Sequence, residues 1–314
     1  MAIKVRDFEV RLTRNKEERR QVRALRYTVF VEEEGASATE EQKNLREEYD
    51  SYDRFAEYMG VFHNGKIVGT YRIIDREAAE KMDGFYTETE YDLKKIKKVR
   101  GNIAEMSRAC VAPEYRDNGL VMRMLWMGLA DYLLKRKVVL MFGVASFVGT
   151  HPAQFAQVIS YLYYNHLSPL SIRARVESDK MDESVDRGLT RMRILPQNFV
   201  VESMARAEMT PLIKGYLRLG ATFGLGVFID KPFNSCDVFV VLQSKNISKA
   251  YQKHFTGNEN AFDHLSAGDG AMKKLGRVML SPFTGSVALF KAAAQFFLRD
   301  DADDAELADD ETKE

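Results

Sequence analysis

The stretch from Asn102 to Leu134, NIAEMSRACVAPEYRDNGLVMRMLWMGLADYLL, gathers residue types and spacings that could do chemistry. Its first residues alternate, with Ile103, Glu105, Ser107 and Ala109 on one face and Ala104, Met106, Arg108 and Cys110 on the other. This predicts a strand that ends near Val111, ahead of Pro113. The run Arg116-Asp117-Asn118-Gly119 then leads into an apolar series, Leu120, Met124, Met127 and Leu134, at helical spacing. A strand that feeds a helix through a basic, glycine-containing turn presents backbone N–H groups and the positive end of the helix dipole. That arrangement suits a phosphate, with Arg116, Asn118, Gly119 and Arg123 as its candidate ligands. Cys110 has no histidine near it in sequence to activate a thiolate, so it reads as a small core thiol.

The flanking chain must position these groups. Residues 3 to 12 alternate as an edge strand, and Asn15 caps a helix carrying Val22, Leu25 and Val29 on one face. The acidic segment TEEQKNLREEYDSYD has no clear periodicity and reads as a mobile loop ending at Asp50 and Asp53. Two β-rich runs separated by Asn64-Gly65 predict a hairpin over residues 57 to 74. Downstream, Val138 to Val144 reads as a buried strand and Ile159 and Leu162 lie on a helix. A further helix, a glycine-rich turn and a strand follow, and SCDVFVVL closes the pattern as another strand. After Gly257 the character changes. Met272, Leu275 and Met279 oppose Lys273, Lys274 and Arg277 on a short basic amphipathic helix, and a second apolar helix runs through Val287, Phe290 and Phe297. The expected division is therefore residues 1–257, a helical extension at 258–299 and an acidic, disordered tail at 300–314.

The 314 residues, 45% of them hydrophobic, can bury a sizeable core. Two widely separated cysteines exclude a disulfide framework, and neither they nor the five histidines have the spacing of metal ligands. No signal-peptide pattern opens the chain, and no apolar run reaches the ~18 residues of a membrane span. The zero net charge conceals an acidic tail of −8 from Asp300 onward, which leaves a body of +8 with its densest cluster at Lys94, Lys95, Lys97, Lys98 and Arg100. A basic body suits an acidic partner such as a carrier protein or anionic lipid.

The order strand, Arg116-x-x-Gly119-x-Val121, helix resembles the acyl-coenzyme A motif of the GCN5-related N-acyltransferases, whose last position is usually Gly or Ala. Val121 there would keep a diphosphate from the backbone, which favours a donor with a single phosphate. Arg26-x-x-x-Phe30, Asp50, Asp53, Arg72 and Glu105-x-x-Arg108 resemble the acyl-homoserine-lactone synthases, although Ala36 stands where that family usually has Trp. A more extensive resemblance covers residues 8 to 255. LRYTVFVEEEGA, VGTYRI, GFYTETEYDL, SRACVAPEYR, LWMGLADYL, ASFVGTHP and PLIKGYLRLGA, in that order, are similar to the L-ornithine N-alpha-acyltransferases.

The resemblance implies an α/β (α+β) fold of GCN5-related N-acyltransferase type, with a mixed, mostly antiparallel central sheet flanked by helices. It implies transfer of a 3-hydroxyacyl chain from the 4'-phosphopantetheine of acyl carrier protein to the alpha-amine of ornithine, giving lyso-ornithine lipid without a metal or redox cofactor. The resemblance is to bacterial enzymes. The two cysteines suit a reducing, cytoplasmic compartment, and the helices at 271–299, outside the resemblance, add the expectation of a peripheral position on the inner face of the membrane; no nucleic-acid partner is expected. Such aminolysis needs a base for the ammonium, and Glu105 is the candidate. It also needs a backbone donor for the oxyanion, expected between Cys110 and Ala112 and so including Val111. Arg26, Arg72 and Arg108 against Asp50 and Asp53 would order the acidic loop over the acceptor site. Phe30 would line the acyl tunnel or pack the first helix. Acylation of another amino acid, lactone synthesis, or a noncatalytic module that binds carrier protein or membrane remain the alternatives.

Overall fold

Alternating apolar runs separated by short turns assemble into one sheet in the computed structural model, which describes residues 2–117, 119–177 and 189–265. Its strands are β1 (Ile3–Val5), β2 (Phe8–Leu12), β3 (Glu57–His63), β4 (Lys66–Asp75), β5 (Tyr91–Asp92), β6 (Asn102–Val111), β7 (Val138–Val148), β8 (Arg175–Val176), β9 (Thr222–Asp230) and β10 (Ser235–Gln243). They lie in the order β1-β2-β3-β4-β6-β7-β10-β9-β8-β5. Pairing is antiparallel except between β6 and β7 and between β8 and β9. The sheet is mixed and mostly antiparallel, with helices on its faces, as expected.

The edge strand predicted over residues 3 to 12 is two strands, because Arg6 at φ 52° turns the chain back on itself. The Asn64-Gly65 hairpin joins β3 to β4 with both turn residues at positive φ, the conformation that matches the twist of its strands. Asn15 caps the helix Lys16–Arg26 by accepting from the Glu18 N–H. Beyond Arg26 the turns widen into a π-helix, Tyr27–Glu33, which carries Phe30. The acidic segment is not structureless. It holds a helix, Glu40–Leu45, closed by a Thr39/Gln42 capping box, and a 3-10 turn at Ser51–Arg54. Six residues are too few for a periodic signal, so only the cap residues could have revealed the helix.

The two sheet faces are covered differently. The helix Leu120–Lys135 lies against Gly69, Met59 and Val10, and its Val121 fills the notch left by Gly69. A Cβ on Gly69 would sit 2.4 Å from Val121 Cγ1, and one on Gly128 would sit 2.7 Å from Met59 Sδ. Val121 is thus a core residue directed at the sheet rather than at the turn before it. The expectation that Val121 blocks a diphosphate is therefore corrected, since its side chain points into the core and gives no reason to restrict the donor to a single phosphate. Thr70, Arg72, Ser107 and Cys110 share the opposite face, towards Arg26 and Phe30. The chain keeps packing past residue 257, where Ala261, Phe262 and Leu265 are buried and the Phe262 N–H donates to Gln252. The predicted helices at 271–299 and the acidic tail lie outside the described residues.

Candidate active site

The parallel pairing of β6 with β7 runs from Asn102↔Val138 to Glu105↔Phe142 and then stops, although β6 continues to Val111 and β7 to Val148. Beyond that point β6 stays with β4 and β7 with β10, so the two central strands part at Glu105 and leave an opening between them. Just past Glu105 the β4/β6 register slips, and Arg108 takes φ 52°. This bulge corrects the simple alternation predicted for the strand. Arg108 and Cys110 come to the face that carries Glu105 instead of the opposite one, because the extra residue shifts the phase by one.

The same register decides which backbone donor faces the opening. The Ala112 N–H donates to the Val68 carbonyl at 2.9 Å, so Val68/Ala112, and by alternation Thr70/Cys110, are hydrogen-bonded pairs. Between them, Val111 directs its N–H and C=O away from β4. Arg116 Nε donates to that carbonyl at 3.0 Å. Of the range expected to hold an oxyanion, Ala112 is therefore committed to the sheet and Val111 remains.

Glu105 is fully buried. Its Oε2 accepts from the Thr87 N–H at 2.9 Å, and its Oε1 has no partner among the described residues. Burial raises its pKa, and Arg72 and the Thr87 N–H oppose the rise only in part. A carboxylate made more basic in this way is a better acceptor for the proton of an ammonium. Glu105 forms no ion pair with Arg72 or Arg108 among the described residues.

Beside it lies a set of three arginines and three acids. Arg26 donates to Glu48 at 2.5 Å and to Asp53 at 2.9 Å. Arg72 reaches both oxygens of Asp50 at 2.7 Å, Asp53 at 3.2 Å and the Ser107 hydroxyl at 3.0 Å. Arg108 contacts Asp50 at 3.3 Å, and its guanidinium lies 4.0 Å from the Phe233 ring centre and 4.5 Å from that of Tyr86. Asp50 caps the 3-10 turn that delivers Asp53. The five expected members thus meet, and Glu48 joins them. Sequence reasoning passed over Glu48 because it stands in a run of acids with no periodicity to single it out. Burial pushes Asp53 up, but Arg26 and Arg72 outweigh it and hold the carboxyl well below the usual range.

Other expected site residues are placed differently. Cys110 packs with Val29, Phe30 and Ala36, and burial pushes its thiol far up, away from any nucleophilic thiolate. Phe30 stands edge-on to Phe233 at 6.1 Å and packs the first helix to the sheet. Arg116 is bound to both oxygens of Glu33 as well as to the Val111 carbonyl, so its guanidinium is spent on the fold rather than offered to a phosphate. Gly119, at φ 60°, caps the helix Leu120–Lys135 and lies beside the half-buried Arg123. Asn118 lies outside the described residues. In the basic cluster, Lys94, Lys95 and Lys97 contact Glu177, Leu170 and Glu88, while Lys98 and Arg100 are exposed.

Sequence reasoning also missed Glu90, Asp230 and Asp237, three buried acids whose oxygens lie within 4.8 Å of one another. They are spread over 147 positions of the chain, and no spacing rule links them.

A sheet whose central parallel strands part beside a buried carboxylate defines an N-acyltransferase of the GNAT type, and residues 25–127 match the family described as "Acetyltransferase (GNAT) domain". Two relatives named "L-ornithine N(alpha)-acyltransferase" cover most of the chain. The one from Rhodobacter capsulatus is 34% identical over 82% of this chain and 97% of its own length, and the one from Brucella abortus is 34% identical over 82% and 92%. The chain belongs to the L-ornithine N(alpha)-acyltransferase family. Among solved structures, the AHL synthase LasI is 15% identical over 80% of this chain and 95% of its own, with a TM-score of 0.43, too distant a likeness to speak about substrates.

Proposed function

We propose that this enzyme moves a 3-hydroxyacyl chain from the 4'-phosphopantetheine thioester of acyl carrier protein to the α-amine of ornithine, forming lyso-ornithine lipid. The observation that carries the reading is the position of Glu105, a buried carboxylate with a partnerless oxygen at the point where β6 and β7 part. In the proposed reaction Glu105 takes a proton from the α-ammonium, directly or through a water. The freed amine attacks the thioester carbonyl, and the Val111 N–H stabilises the oxyanion that forms. Collapse of the intermediate forms the amide and expels the pantetheine thiolate, which takes up the second proton shed by the attacking nitrogen, and Glu105 returns the first to solvent.

The basic body, with Lys98 and Arg100 exposed, supports an acidic carrier protein as donor. Acyl carrier protein thioesters are therefore expected to be used far better than acyl-coenzyme A, in a reaction that slows as salt rises towards 0.5 M. Equal efficiency with both donors, or a carrier reaction indifferent to salt, would count against that donor.

We also propose peripheral attachment to anionic lipid through residues 271–299, which pair a basic stripe with apolar residues in a chain whose product is itself a lipid. Among the described residues, no helix is long and apolar enough to cross a membrane. A chain ending at residue 270 keeps the buried Ala261, Phe262 and Leu265, and it is expected to stay folded and to stop sedimenting with anionic vesicles. Unfolding of that truncated chain would assign the segment to the core instead.

A further inference from the structure

We propose that Glu90, Asp230 and Asp237 form a subsite for the second, distal ammonium of a diamino-acid acceptor, an inference that rests on the amine-acceptor reading above. Asp230 ends β9 and Asp237 lies on β10, opposite Ser146 of β7. Ser146 is four residues past Phe142, the last β7 residue paired with β6, so it shares a face with Phe142 and Glu105 and lies beyond the point where the strands part. The acids therefore stand across the opening from Arg108, and Glu90 feels the charge of both Arg108 and Glu105.

Three carboxylates so close together repel one another, and they stay ionised together only when a cation sits among them. Glu90 is 1% exposed, and among the described residues neither of its oxygens has a hydrogen-bond partner; Asp237 is 3% exposed with Oδ1 likewise unpartnered, whereas Asp230 accepts from the Phe233 N–H at 3.0 Å. Among the described residues, no Lys or Arg forms an ion pair with any of the three. Arg108, the cation they feel, is turned to Asp50, Tyr86 and Phe233. Burial raises all three carboxyls, and repulsion by neighbouring acids adds to the rise at Glu90 and at Asp237, the latter to about 6. The contrast with the neighbouring set is direct, because Glu48, Asp50 and Asp53 each have an arginine.

An alkylammonium supplies the missing partner. It has three N–H donors for three acceptors, and oxygens within 4.8 Å of one another can all reach one nitrogen. The acceptor's two amines would then be told apart by position. The distal one is held by the acids as a cation, and the α-amine is left on the Glu105 side to be deprotonated. An amino acid without the distal amine leaves the acids unpaired, which disfavours it.

The test is calorimetric binding of ornithine and of norvaline, the same chain without the distal amine, to the full-length protein and to Glu90→Gln and Asp237→Asn. Wild type is expected to prefer ornithine, and each variant to lose roughly 10- to 100-fold of that preference, the scale of one charge-assisted hydrogen bond. Each variant removes a buried carboxylate with a partnerless oxygen, so its melting temperature should be no lower than wild type. Equal binding of the two amino acids by wild type, or a preference unchanged in both variants, would overturn the subsite. So would stabilisation of chelator-treated protein by Mg²⁺, Ca²⁺ or Mn²⁺ that depends on Glu90 without any preference for ornithine. Because binding is read without turnover, a Glu90-dependent preference with no acyl transfer would leave the subsite standing and remove the reaction assigned above.

Discussion

Glu105→Gln is expected to lower turnover by about 10²- to 10⁴-fold, the scale of a general base. The amide keeps the shape of the side chain and an oxygen for the Thr87 N–H, and it spares the protein a buried charge. The fold and the binding of the acyl donor should therefore be unaffected. Since the base acts ionised and burial has raised its pKa, wild-type activity should climb with pH through that raised value, and this limb should vanish in the variant. Turnover close to wild type at saturating amine would remove Glu105 from the chemistry. Loss of activity together with a fall in melting temperature would assign it a structural role instead.

The second large effect concerns stability. Arg26 is completely buried between Glu48 and Asp53, and replacing it with Met leaves both acids short of a partner in a dry site. The expected cost is about 3–5 kcal/mol, or roughly 6–20 °C in melting temperature. Part of this should return when Glu48→Gln is added, since the amide no longer needs the cation. The acid side supplies an independent check. Arg26 and Arg72 hold Asp53 below its unfolded value of roughly 4, so its contribution is fully present above that pH. It is lost as pH falls through the depressed folded value. Without Arg26 the depression shrinks, and the loss should begin at higher pH. A variant that melts within 2–3 °C of wild type, about 1 kcal/mol, would mean that the arginine orders nothing.

Much of the sheet was legible because its strands obey period two and its turns use residues with one purpose, as at Asn64-Gly65. The bulge at Arg108 was not legible, since positive φ at an arginine leaves no compositional mark, and it decides which face Arg108 and Cys110 occupy. Arg26, Arg72, Arg108, Asp50 and Asp53 were drawn from the resemblance to the acyl-homoserine-lactone synthases, and the fold brings them together; Glu48 is not part of that resemblance. Arg116 read as a phosphate ligand because its context is basic. Its partner Glu33 lies 83 positions earlier, and that pairing exists only once the π-helix has turned Glu33 towards it. Glu90, Asp230 and Asp237 illustrate the same limit, since strand order alone makes them neighbours.

The most direct measurement incubates the purified protein with 3-hydroxyacyl carrier protein and ornithine labelled with ¹⁵N only at the α-position, followed by mass spectrometry of the product and its fragments. The expected product is one new lipid, heavier than ornithine by a single 3-hydroxyacyl group, whose acyl fragments retain the heavy nitrogen. An acylated δ-nitrogen, a lactone, or donor consumption unchanged by omitting ornithine would contradict the proposed reaction.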